Sequence, residues 1–148
     1  MHKYQNYISW ALAIYIAFVF IQSLFFKFSG SEETVIIFNT IADWMIGIGL
    51  AGIAEPFRHY GGNTVGITEL IASILLLIPR TRLYGACIAI VVISGAIFFH
   101  LFTPLGVVRT IDAAGNTDGG VLFFMACGVW LASAGLIYIH RFMNRGAS

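Results

Sequence analysis

Charged residues are scarce in this sequence of 148 residues. Only 10% of the residues are Asp, Glu, Lys or Arg, whereas about 25% is usual for a soluble domain. Eight basic and seven acidic side chains leave a formal net charge of +1, and no basic run is present. This composition excludes a nucleic-acid-binding protein, because contact with a phosphate backbone needs clustered Lys and Arg. It also excludes a disordered chain, which combines low hydrophobicity with high net charge.

Cysteine and the common catalytic motifs are scarce as well. The two cysteines, Cys87 and Cys127, are not a C-x-x-C pair, and on neighbouring spanning helices their depths should differ by about 10–15 Å. A disulfide needs Cα atoms within about 7 Å, so we expect two buried free thiols. The sequence contains no G-x-S-x-G, H-E-x-x-H or phosphate loop, and it predicts no metal site. These absences favour a protein that is not an enzyme on its own.

Long apolar runs dominate what is present. Hydrophobic residues make up 59% of the chain, and the mean hydropathy is +0.87. A soluble domain of this size buries only about two-thirds of its surface, so it could not hide so much apolar material. Apolar runs of about 18 residues are long enough to cross a bilayer as helices. Four runs of about this length predict spans at residues 8–28, 62–78, 83–102 and 120–139.

A fifth apolar stretch, residues 35–54, is interrupted by Asn39, Asp43 and three glycines. A charge near the middle of a spanning helix is unfavourable by a few kcal/mol on insertion scales. We therefore predict an interfacial or re-entrant helix here, with a fifth span as the alternative. The predicted fold is all-α: a transmembrane four-helix bundle with this extra helix between its first two spans, forming one integral membrane domain over residues 1–148.

The positions of the basic residues predict the orientation, because Lys and Arg favour the cytoplasmic side. With four spans, five of the eight basic residues lie on the side of the two termini: Lys3, Arg80, Arg82, Arg141 and Arg145. We therefore expect a multi-pass protein with both termini in the cytoplasm. A five-span arrangement divides these charges in the same way and moves only the N-terminal end outside.

Placing a titratable side chain inside a membrane span is unfavourable in free energy, so each such residue is a candidate functional residue. Lys27 ends the first predicted span, Glu69 lies in the outer third of the second, and His100 ends the third. Asp118 directly precedes the fourth span, and Gln22 lies about one helical turn from Lys27. These five side chains should reach a similar depth near the outer face. We predict that they form a ligand-binding site.

Structural roles offer alternatives for some of these residues. Lys27 can extend to the headgroups, and Asp118 can cap the fourth helix. Glu69 needs a partner, which Lys27 or His100 could supply. Gly85 and the alanines that follow it at helical spacing place small residues on one stripe of the third span, together with His100. Small residues let membrane helices approach closely, so we expect His100 to point into the bundle.

The second span and the turn after it resemble DoxX-like membrane proteins. The matching segments are GITELIASILLLIPRT at residues 66–81, Gly85-Ala86, SGAI at 94–97, His100-Leu101, Asp118-Gly119-Gly120, and residues 18–28 with Gln22 and Lys27. The resemblance covers nearly the whole chain, and its most specific part is the Glu-Leu helix followed by the Pro-Arg-Thr turn.

This resemblance implies a four-helix bundle in the bacterial inner membrane. The family is named after a subunit of a thiosulfate:quinone oxidoreductase, and other members are linked to redox and oxidative-stress complexes. The helix plan is also similar to that of vitamin K epoxide reductase-like proteins. This chain lacks their paired cysteines, so catalytic quinone–thiol chemistry is not expected. Residues 29–61 and 103–119 exceed a minimal member.

Together these observations predict a non-enzymatic subunit of a membrane redox or respiratory assembly that binds a quinone or lipid near the periplasmic leaflet. Quinone is the candidate cofactor, and the alternative is a b-type haem between two histidines at one depth, such as His59 and His100. The expected partners are the lipid bilayer, a membrane or periplasmic redox protein, and further copies of the chain, with no nucleic acid. Two alternatives remain: a small transporter or proton-coupled carrier, which would need a polar path to the inner side, and a structural scaffold in which Glu69 is paired and inert.

Overall fold

A computed structural model describes residues 2–143 of the chain and contains five α-helices and a final π-helical turn. The helices are α1 (His2–Phe28), α2 (Glu32–Gly47), α3 (Ala51–Leu77), α4 (Arg82–Phe102) and α5 (Val121–Tyr138), followed by the π-helical turn Ile139–Met143. Within these residues the only β-pairing is an isolated bridge between Thr110 and Thr117. The predicted all-α class is confirmed.

Four of these helices are long and apolar enough to cross a membrane: α1, α3, α4, and α5 with the turn that continues it. Large apolar side chains such as Phe18, Val91 and Leu131 are exposed on their outer faces, as lipid contact requires. Helix α2 has 16 residues and is therefore about 24 Å long, which is short of the roughly 30 Å hydrocarbon core. The chain is a multi-pass integral membrane protein with the predicted four-helix bundle, and α2 is too short to be a fifth span.

The four spanning helices form a closed ring in which α1 packs on α3 and α5, and α4 packs on the same two helices. The core between them is apolar and is centred on Ile16, Phe20, Leu76 and Val129. We call the end with the start of α1, the α3–α4 turn and the end of α5 the basic end. We call the opposite end, which carries α2 and residues 103–120, the loop end.

Gly85 allows the closest approach between α3 and α4. A Cβ atom at this position would lie 2.7 Å from the backbone nitrogen of Leu76 and 2.9 Å from the carbonyl oxygen of Ala72. Ala89 and His100, on the same predicted stripe of small residues, are also buried. The inference that this stripe faces the bundle is confirmed.

The boundary between α2 and α3 differs from the prediction. The interfacial helix was expected to reach residue 54, but α2 ends at Gly47 and α3 already begins at Ala51. Gly49 makes the turn with φ +87°, a conformation that glycine adopts without strain. Residues 55–61, which the predicted second span at 62–78 did not include, belong to α3, and their charges lie on its surface, where Glu55 approaches Arg58 at 3.4 Å and His59 at 3.7 Å. Such spacings of three and four residues bring side chains together on a helix.

Two polar residues of α2, Asn39 and Asp43, are hydrogen-bonded by Arg58 of α3. Arg58 donates hydrogen bonds to Asp43 at 2.6 Å and to Asn39 at 3.2 Å. The opposite face of α2 packs in a second, smaller core with the start of α3 and with Leu105. An apolar helix that also contains Asn and Asp is therefore accommodated as a layer over the loop end.

The two cysteines are free thiols, but the expectation that both are buried is wrong. Cys127 is half-buried, whereas Cys87 is exposed. Cys87 lies next to the buried Ala86 on α4, and one step along a helix turns the side chain from the core toward the lipid-facing side.

Candidate ligand site at the loop end

A cavity of about 460 Å³ lies among α1–α5 and residues 103–120. Ligand sites for small molecules usually measure about 300–1,000 Å³ and have mostly apolar walls with a few polar groups. The walls here are mainly valine, isoleucine, leucine and phenylalanine side chains. All five side chains predicted as site residues line this one cavity: Gln22, Lys27, Glu69, His100 and Asp118.

Glu69 forms the centre of the first polar cluster in the wall. Only 5% of this residue is exposed. Its carboxylate accepts hydrogen bonds from Lys27 Nζ at 2.9 and 3.1 Å, and from Ser23 Oγ at 2.7 Å. Because Lys27 also donates to Ser23 at 2.9 Å, the three side chains form a closed network. Of the two expected partners for Glu69, the structure therefore shows Lys27.

Gln22 differs from these paired groups. It is exposed and lines the cavity one residue before Ser23. Among the described residues its side-chain amide makes no hydrogen bond. An amide carries both donors and an acceptor, so Gln22 can bind a ligand without breaking an existing contact.

His100 is held in a fixed orientation. Only 3% of it is exposed, and its Nδ1 lies 2.6 Å from the carbonyl oxygen of Gly106. A carbonyl only accepts, so Nδ1 must donate the hydrogen. In the neutral ring, Nε2 is then an acceptor, and it is the ring nitrogen that remains for a ligand. Phe123 packs edge-on against the ring at 5.7 Å between centroids.

Arg109 and Glu33 form a second charged cluster that the sequence reasoning missed. Arg109 is only 3% exposed. Its guanidinium pairs with Glu33 from α2 and lies 3.4 Å from Asp118. Its Nη1 is buried without a hydrogen-bond partner among the described residues. This cluster joins the loop to α2 and to the start of α5.

Asp118 combines this ion pair with hydrogen bonds at the start of α5. It accepts backbone hydrogen bonds from Gly120 at 2.9 Å, Arg109 at 3.1 Å and Leu122 at 3.2 Å. Burial by itself would raise the pKa of the carboxyl, but these donors and the Arg109 charge hold the pKa below its ordinary value. The N-cap residue of α5 is Gly120, so Asp118 is not the N-cap itself, but its side chain accepts a hydrogen bond from the first turn and it also lines the cavity.

One sequence signal could have identified Arg109. The apolar run Leu105-Gly106-Val107-Val108 directly precedes it in the segment between the third and fourth predicted spans. Glu33 had no comparable signal, because acidic residues are common in the first turn of any helix. Their pairing joins positions 76 residues apart, which helical spacing cannot predict.

The site combines apolar walls with two charged clusters and a histidine of fixed orientation. It is suited to hold a small amphipathic molecule whose polar part meets these groups. Within residues 2–143, no three His, Cys, Asp or Glu side chains are grouped so as to hold a metal ion. Comparisons of the chain with protein-family models, with curated proteins and with solved structures find no match.

Proposed function

We propose that this protein is a non-catalytic, DoxX-like membrane subunit that binds a quinone in the loop-end cavity. The observation that carries this proposal is an apolar cavity whose walls also hold hydrogen-bond donors and two ion-paired clusters. A quinone has a flat apolar ring, an apolar tail and two carbonyl oxygens that only accept hydrogen bonds. The redox assembly and the bacterial inner membrane come from the family resemblance and are part of the same proposal.

The available donors suit a quinone head. Arg109 has an unpartnered Nη1, and Gln22 has an unbonded amide. Aromatic rings line the same space: Phe38, Phe57 and Phe99 follow one another with centroids 5.2 and 5.9 Å apart. Aromatic faces and edges offer favourable packing to another flat ring.

The charges of the cavity favour a neutral occupant over an anionic lipid. Its lining includes three carboxylates and only two cations besides His100: Glu33, Glu69 and Asp118 against Lys27 and Arg109. An added phosphate would meet this excess of negative charge in a medium of low dielectric, where like charges repel strongly. A quinone adds no charge.

The same geometry does not favour transport. Between the cavity and the basic end, the described residues form the apolar core around Ile16, Phe20, Leu76 and Val129. The bundle also buries the hydroxyls of Ser73 and Ser133, but Ser73 donates to the carbonyl oxygen of Glu69 on its own helix and Ser133 has no hydrogen-bond partner among the described residues. A proton or polar solute would need a continuous chain of hydrogen-bonding groups through this layer. A flux assay in proteoliposomes distinguishes a carrier, which moves solute, from a binding subunit, which does not.

The first test uses a variant that fills part of the cavity without changing its charged residues. A Cβ atom at Gly95 would have no heavy atom within 4 Å, so Gly95→Leu adds a side chain to the open space. Quenching of tryptophan fluorescence by a short-chain ubiquinone should show binding about tenfold weaker or more, since the ring loses its place. Gly47→Leu is the matched control, because Gly47 is equally open and lies outside the cavity.

A second variant tests the polar head contacts. Glu69→Gln should weaken binding of the same quinone while the protein still folds, because the Lys27–Ser23 network reorganises. The proposal fails if Gly95→Leu and Glu69→Gln both bind the quinone as the parent does. It also fails if the parent gives no saturable quenching.

A further inference from the structure

Among residues 2–143, the basic end contains a buried cation without a carboxylate partner. Arg82 is only 5% exposed at the start of α4. All seven acidic side chains of the sequence lie elsewhere: Glu32, Glu33, Asp43, Glu55, Glu69, Asp112 and Asp118. Burial of an unpaired charge is strongly unfavourable. A negative group from outside the chain would relieve this imbalance.

The contacts of Arg82 are all with neutral groups. Its Nε donates to the carbonyl oxygen of Leu76 and its Nη1 to Ser9 Oγ, both at 2.9 Å. The ring of Trp10 lies 4.1 Å from the guanidinium carbon. Nη2 is buried and has no hydrogen-bond partner among the described residues. These contacts orient the guanidinium but leave its charge uncompensated.

A second cavity, of about 310 Å³, lies beside this guanidinium. Arg82 lines it together with Gln5, Asn6, Ser9 and His140. The side chains of Gln5 and Asn6 carry amide donors that can face an anion. The first turn of α4 lines the same cavity and has no side-chain cap. Uncapped N–H groups at a helix start favour an anion.

We infer that this cavity binds a phosphate-type oxyanion, either the headgroup of an anionic phospholipid or free phosphate. The planar guanidinium is suited to hold two oxygens of one phosphate. Two further cations at this end, Lys3 and Arg141, are exposed and raise the positive potential around the cavity. The inference is independent of the quinone proposal, which concerns the opposite end of the bundle.

The test measures thermal unfolding of the full chain in a neutral detergent. Dioleoylphosphatidylglycerol should raise the unfolding midpoint in a saturable manner, and dioleoylphosphatidylcholine should not. Arg82→Gln should weaken the apparent affinity for phosphatidylglycerol about tenfold or more, since a charge-assisted hydrogen bond is lost. Arg80→Gln is the matched control: it removes the same charge from an exposed position and should leave the affinity within about twofold, as exposed charges contribute little.

Sodium phosphate, added at constant ionic strength, separates the two sources. A rise of the midpoint that Arg82→Gln abolishes assigns the site to free phosphate, and no rise assigns it to the lipid headgroup. Equal stabilisation by phosphatidylcholine, or equal loss in Arg80→Gln and Arg82→Gln, overturns the inference.

Two further variants keep the inference testable if Arg82→Gln does not fold. Gln5→Leu removes an amide from the cavity, and Arg82→Lys keeps the cation without its planar fork. Both should weaken phosphatidylglycerol binding at least threefold, while the midpoint without lipid stays near that of the parent. If both bind this lipid like the parent, the inference is wrong.

Discussion

At the scale of single residues, membrane burial decides which charges must be paired. Glu69 and Lys27 could be found from the sequence because each interrupts an apolar span, where an isolated charge is unfavourable. The choice of Lys27 over His100 as the partner could not, since it depends on the relative rotation of α1, α3 and α4. Arg109 and Glu33 were missed because both lie in segments that ordinarily face water.

The Lys27–Glu69 pair should behave as a unit. Lys27→Met or Glu69→Leu alone should destabilise the protein by about 3 kcal/mol, because the remaining charge stays buried without its partner. The double variant should regain most of this loss. Unfolding in mixed micelles with increasing dodecyl sulfate measures all three. Two single losses that simply add in the double variant would contradict a coupled pair.

Asp118 should make the protein sensitive to acid. Its folded-state pKa is lowered, so its stabilising contribution is complete above the unfolded pKa of about 3.9 and is lost as the pH falls through the folded pKa. Asp118→Asn should therefore be less stable at pH 7 and should lose less on acidification. Unfolding midpoints from pH 7 to about pH 3 test this.

Asp112 provides the comparison for this acid response. Hydrogen bonds from Asn116 lower the pKa of Asp112 as well, but its turn is more open to solvent, which screens such contacts. Asp112→Asn should keep most of the acid response of the parent. An equal effect of the two substitutions would show that Asp118 has no special role.

At the scale of helices, apolar length predicted the four spans, whereas the start of α3 could not be found by counting. Residues 55–59 contain Glu55, Pro56, Arg58 and His59, a mostly polar stretch with a proline that the predicted second span did not include. In three dimensions Arg58 faces α2, and the other charges lie on the helix surface. A partner helix therefore decides where this helix begins, and such a partner is not visible in a local pattern.

The crossing of α3 and α4 at Gly85 yields a matched prediction. Gly85→Ala should destabilise the protein by about 1–3 kcal/mol, because the added carbon would meet the backbone of α3, which cannot move aside like a side chain. Gly95→Ala on the same helix meets open space and should be neutral or slightly stabilising. Dodecyl sulfate unfolding compares them, and similar stability of the two variants would contradict the close approach.

At the scale of the whole molecule, the net charge differs between the two ends of the bundle: three basic residues, Lys27, Arg58 and Arg109, pair with carboxylates of the loop end, and the other described basic residues lie at the opposite end. Lys3, Arg80, Arg82 and Arg141 lie at the basic end, while every carboxylate side chain belongs to the loop-end half. Four-helix architecture and this separation follow from the sequence. The cavity at either end does not, because its volume depends on how the side chains of different helices pack together.

The direction of insertion follows from this separation and remains a prediction. In a background with Cys87→Ala and Cys127→Ala, Asn116→Cys should react with an impermeant maleimide on intact cells, since it lies in an exposed turn of the loop end. Tyr4→Cys at the basic end should react only after the cells are opened. If only Tyr4→Cys were labelled on intact cells, the orientation would be the opposite of the predicted one.

The separation of charge also makes the bundle an electric dipole along the membrane normal. A voltage of 100 mV acts on each elementary charge with about 2.3 kcal/mol across the bilayer. In the predicted orientation the cationic pole faces the negative side of the membrane, which is the energetically favoured direction in that field. In that orientation, the membrane potential would stabilise the inserted bundle. A rearrangement that carried Arg82 or Glu69 across the hydrocarbon would move charge through the field and would therefore depend on voltage.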